Sequence, residues 1–145
     1  MKTLSSLLAV FFLTTVGALA GEWQTDYKAA LATAAKEKKM VLLDFTGSDW
    51  CGWCIKLDKE TFDQPAFKSH ADQKLVLVKL DYPHDKPQSD AVKAQNDALA
   101  KQYNIEGFPT LVLLDSSGKE IGRNVGYLAG GPEGFKQWVE SVAKK

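Results

Sequence analysis

The sequence predicts an α/β domain with a central mixed β-sheet flanked by helices. Three observations lead there. Two apolar runs of strand type, residues 41–45 and 75–81, are separated by helical apolar spacing, which is the βαβ pattern of a parallel strand pair. Residues 111–114 and 119–125 flank the four-residue turn Asp115-Ser116-Ser117-Gly118, which makes an antiparallel hairpin. The only two of the 145 residues that are cysteines stand where the first strand meets the next helix, in Trp50-Cys51-Gly52-Trp53-Cys54.

Residues 1–20 are set apart from the fold. Lys2 precedes an apolar run, residues 4–16, and Ala18-Leu19-Ala20 supplies the small residues of a cleavage point, the pattern of a secretory signal. The run falls short of the roughly 20 apolar residues of a spanning helix. Residues 21–145 are then one domain with one ordinary core. Without Lys2 the chain has 17 basic against 18 acidic residues and no basic run, so charge names neither nucleic acid nor an anionic membrane as partner.

Residues 25–39 read as an amphipathic first helix, with Tyr27, Ala30, Leu31 and Ala34 on one face and Asp26 and the lysine-rich end placed to suit the helix dipole. The strand at 41–45 has little polar relief, as a strand covered on both faces requires, except at Asp44. Thr46 to Asp49 is a turn, and residues 54–62 are helical through Ile55, Leu57 and Phe62. Pro65 then predicts a break or kink at 63–65. After the second strand, residues 82–88 are loop and residues 89–103 a helix carrying Val92, Gln95, Leu99 and Tyr103 on one face, with Asn104 suited to its terminus. Residues 126–131 are glycine-rich but lack phosphate-loop spacing, so they read as turn chemistry before a last helix at 132–143, which buries Phe135, Trp138, Val139 and Val142.

Two cysteines separated by two residues can close a small disulfide or stay reduced. A structural tetrahedral zinc site needs four ligands, and His70 and His84, the only histidines, lack metal-ligand spacing to the pair and read as surface or loop residues. At a helix mouth the unpaired N–H groups and the dipole favour a thiolate at Cys51, with Cys54 one turn further in. In an oxidising compartment stray cysteines pair, and this chain keeps only the adjacent two. A bridge across so small a loop adds little chain-entropy stabilisation, which favours an active over an inert disulfide.

The element order, the tryptophan before the first cysteine, and Phe108-Pro109-Thr110 ahead of another strand together resemble the thioredoxin superfamily over nearly all of residues 21–145. With Leu57, Asp58, Glu60 and Phe62, the cysteine segment is similar to exported thioredoxin-like proteins related to the C-terminal domain of DsbD, a bacterial transmembrane reductant carrier. The resemblance implies a thioredoxin fold in which Cys51 attacks and Cys54 resolves the mixed disulfide, and it implies a cis bond at Pro109. It places Trp50, Gly52, Trp53, Phe108 and Pro109 at the substrate surface. Asp44 roughly matches the buried acid that assists the second cysteine, with Lys79 on the neighbouring strand as its partner. One extra residue between that acid and Cys51 leaves Asp49 as an alternative.

The expected activity is protein disulfide exchange without a bound cofactor or metal. Clients carrying thiols or disulfides and a membrane or soluble redox partner are the expected partners, for a monomer in the periplasm or secreted. Trp53 supplies no positive charge to stabilise a reduced thiolate, which leans toward a reductant or mild exchanger. The alternatives are an oxidase or isomerase working in the opposite direction, or a non-catalytic peptide-binding or chaperone module with a fixed disulfide.

Overall fold

A computed structural model describes residues 21–144, and the expected signal at 1–20 lies outside them. The sheet has five strands in the order β1-β3-β2-β4-β5, where β1 is Trp23–Gln24, β2 Met40–Thr46, β3 Leu75–Asp81, β4 Thr110–Leu114 and β5 Glu120–Val125. β3 runs parallel to β2, and β4 runs antiparallel to both β2 and β5. The expected mixed sheet is therefore present, with the short parallel strand β1 added against Leu77 and Val78.

Alternation along the three central strands sends successive side chains to opposite faces, and each face receives its own helices. Val41, Leu43, Phe45, Val78, Leu80, Val112 and Leu114 pack with Ala30 and Ala34 of α1 (Tyr27–Glu37) and Leu99 of α4 (Asp90–Gln102). Leu42, Leu77, Leu111 and Leu113 pack on the other face with Leu57 of α2 (Gly52–Leu57), Phe67 of α3 (Pro65–Lys74) and Phe135 and Val139 of α5 (Gly131–Ala143). The same alternation puts Asp44 on the α2 side, in step with Leu42, and Lys79 opposite it in register.

Local chemistry sets the helix ends. The Asp26 and Ser89 side chains accept the backbone N–H of Ala29 and Val92 and cap α1 and α4. Asn104 takes the left-handed conformation after α4. α2 does not stop at Leu57 but continues through one π-helical turn, Asp58–Phe62. The interruption expected at Pro65 is present, and Pro65 itself starts α3.

Candidate active site at Cys51 and Cys54

Cys51 and Cys54 are joined as a disulfide with their Cα atoms 5.2 Å apart. Two hydrogen bonds fix Cys51 where the turn enters the helix. Its N–H donates to the Gly47 carbonyl at 2.9 Å, and its Sγ accepts the Cys54 N–H at 3.2 Å, the N-cap position of α2. Cys51 is 7% exposed and Cys54 only 1%, so the outer sulfur belongs to Cys51.

Aromatic side chains surround this edge. The Trp50 indole N–H donates to the Tyr82 carbonyl at 2.8 Å, its ring stacks on His84 at 4.5 Å, and Phe108 meets it edge-on at 5.9 Å. Gly47 permits this, because a Cβ there would lie 2.4 Å from the indole. On the other side, Trp53 is 59% exposed and faces Tyr127 at 5.5 Å, and Lys56 lies over both rings. The Tyr127 hydroxyl bonds the Glu60 carboxylate, which the π turn carries.

The Phe108–Pro109 bond is cis, and the Pro109 carbonyl accepts the Gly126 N–H at 2.8 Å. Trp53, from the segment between the two cysteines, lines an open groove of about 310 Å³ with Phe108, Pro109, Gly126 and Tyr127. A Cβ at Gly52 would meet nothing within 4 Å, so this position is open to solvent. The structure thus brings Trp50, Gly52, Trp53, Phe108 and Pro109 to one surface.

Asp44 lies beneath it, 1% exposed, with no hydrogen bond to its Oδ1. Burial pushes its pKa up to about 7, and the Lys79 charge opposes that rise. The expected pairing of Lys79 with Asp44 needs correction. The ammonium bonds both carboxylate oxygens of Asp58, the first residue of the π turn, at 3.1 and 3.2 Å. Burial raises the Asp58 pKa as well, outweighing its contact with Lys79. Lys79 therefore acts on Asp44 as a nearby charge rather than as a bonded partner.

Asp49, the alternative acid, turns away from the sulfurs. Its exposed carboxylate accepts the N–H groups of His84, Asp85 and Lys86, which hold its pKa below the usual carboxylate range. Sequence reasoning gave no site role to Asp58, Tyr127 or His84. Asp58 had a usable signal, since it stands four residues after Cys54 and so shares its helix face. Tyr127 was an aromatic in a glycine-rich link, and nothing in the sequence marks His84.

Residues 27–143 match the family described as Thioredoxin-like domain. The chain is 36% identical over 123 residues to Disulfide bond reductase DsbH of Chlamydia pneumoniae, covering 85% of this chain and 73% of that protein. It is 33% identical to Thioredoxin-related protein DsbJ of the same organism and 33% identical to Thiol:disulfide interchange protein DsbD of Actinobacillus pleuropneumoniae. These matches cover 85% and 74% of this chain but span only 37% of DsbJ and 17% of DsbD. Among solved structures, a DsbH oxidoreductase superposes with a TM-score of 0.79 at 33% identity over 96% of this chain and 95% of its own. The reduced C-terminal domain of Neisseria meningitidis DsbD gives 0.60 at 30% identity over 79% and 92%. A cysteine pair at a helix mouth, a cis-proline just ahead of β4 and these relatives converge: the chain belongs to the thioredoxin-like family and is a thiol-disulfide oxidoreductase of the DsbH, DsbJ and DsbD kind.

Proposed function

We propose that the chain is an exported reductant, or mild exchanger, of protein disulfides, with Cys51 as nucleophile and Cys54 as resolving thiol. The observation that carries the assignment of roles is the asymmetry of the pair, since Cys51 keeps some exposure at the N-cap and accepts the Cys54 N–H while Cys54 is all but fully buried. In the reduced protein, the Cys51 thiolate attacks one sulfur of a client disulfide and expels the other as a thiolate. Cys54, once deprotonated, attacks Cys51 Sγ and releases the second client sulfur. Two electrons have then passed to the client, and the enzyme holds the Cys51–Cys54 disulfide. A second redox protein returns it to the dithiol.

Asp44 is the buried base available on the α2 side of the sheet, and a pKa near 7 suits it to take the Cys54 proton at neutral pH. Lys79, tied to Asp58, tunes that acid through its charge. The groove beside Pro109 takes the client chain, with Trp50, Gly52, Trp53 and Phe108 as its contact surface. The printed name of DsbH, a disulfide bond reductase, supports reduction as the direction. The leader-like residues 1–20 support export to the periplasm or beyond.

The deciding experiment equilibrates residues 21–145 with graded glutathione or dithiothreitol mixtures and counts free thiols. A potential near thioredoxin's, about −270 mV, is expected. One near −120 mV would make the protein an oxidant, and a disulfide that never equilibrates would make it a binding module.

A further inference from the structure

The segment before Trp50 is tied to the loop after β3 by more bonds than a turn requires. The Asp49 carboxylate accepts three consecutive backbone N–H groups, from His84 at 3.0 Å, Asp85 at 2.8 Å and Lys86 at 3.2 Å. One residue earlier, the Ser48 N–H and hydroxyl both donate to Asp81, and Lys86 Nζ donates back to the Ser48 hydroxyl. The loop is thereby clasped at both ends. Between the two ties, Tyr82 offers its carbonyl to the Trp50 indole, and His84 lies flat on the indole ring, 5° from parallel.

A second groove, of about 460 Å³, opens on this side, and its lining joins Trp50, Tyr82, Pro83, His84 and Phe108 to four polar residues, two of them lysines. Phe108 lines both this groove and the one at Pro109. An extended client lying across Phe108 would meet both. Resting on the exchange reading above, we propose that Asp49 is a positioning residue, which holds residues 84–86 so that His84 and Trp50 form a second wall of the client site. That wall, built of the Trp50, His84 and Phe108 rings, receives a side chain of the client protein beyond the one held at Pro109. The bonds come from backbone N–H groups to an ionised carboxylate, which retains its charge through the ordinary working range of pH.

Asp49→Asn and His84→Ala test this with insulin disulfides as the client. Asparagine keeps the size of the side chain, but its amide nitrogen carries hydrogens and cannot accept the N–H groups that the second carboxylate oxygen accepted. Asp49→Asn is expected to shift the Trp50 indole N–H resonance and to raise KM about fivefold, as loss of an ordinary contact does, while kcat and the reduction potential stay near wild type. His84→Ala should raise KM alike. A KM unchanged in Asp49→Asn despite a shifted resonance overturns the proposal. So does a joint change of kcat and potential, which would place Asp49 in control of the sulfurs. Should Asp49→Asn not fold, an unchanged KM in His84→Ala overturns it alone. A wild-type protein that leaves insulin oxidised sinks the exchange reading itself.

Discussion

Asp44 is a carboxyl group on an apolar strand with one oxygen unpartnered, and its pKa of about 7 compares with about 3.9 in an unfolded chain. The fold therefore prefers its protonated form. The stability this preference contributes is fully present below about pH 4 and is lost as pH rises through about 7. The change from this fully buried group is on the order of 4 kcal/mol. Asp44→Asn should lack that loss, so melts across pH 4 to about 8 should show the variant overtaking wild type at the alkaline end. Parallel melting profiles would mean that Asp44 ionises in the fold without penalty. An acid in an otherwise apolar strand was visible in the sequence as an anomaly. Its relation to Lys79 was only half visible, because register makes the two neighbours whereas the ammonium bonds Asp58, a carboxylate 21 residues away in sequence.

Among the elements, the contact between β5 and α5 sets how closely the last helix approaches the sheet. A Cβ on Gly122 would lie 2.7 to 2.9 Å from the side-chain carbons of Val142, so only a bare α-carbon fits. Gly122→Ala should cost about 1–3 kcal/mol by overpacking, read from urea unfolding, and adding Val142→Ala should recover part of it. A Gly122→Ala protein as stable as wild type would show that α5 shifts freely. β2, β3, the hairpin and α1, α4 and α5 were legible because each repeats an apolar period over several residues. β1 was not, since two residues carry no period and its pairing with Leu77 and Val78 is long-range. α3 was hidden for another reason, as only Phe67 and Ala71 of its ten residues are buried. The π turn was legible only as helix, since Phe62 continues the apolar spacing of Leu57 and nothing marks the change of pitch.

At the scale of the molecule, 18 basic residues balance 18 acidic ones, so no net field steers a client toward the site. Raising salt from low to physiological strength should change kcat/KM for insulin less than about twofold. A steep salt dependence would point instead to a charged docking surface. The sulfur pair, Trp50 and Pro109 were readable because their spacing is local or matches a family pattern. The Asp49 clasp was not, since it joins residues 35 to 37 apart through a loop whose path only the folded chain defines. The same whole-sheet view shows β5 as an outer strand among the described residues, with backbone groups unclaimed along one side. Such an edge is a template on which further strands can add. Here it is six residues long, begins at an irregularity opposite Leu113 and Leu114, and carries the Glu120–Arg123 ion pair. Charged side chains and a broken register are the features that make an open sheet edge a poor template, so the same short stretch of β5 that closes the hairpin also blunts the edge against a further strand.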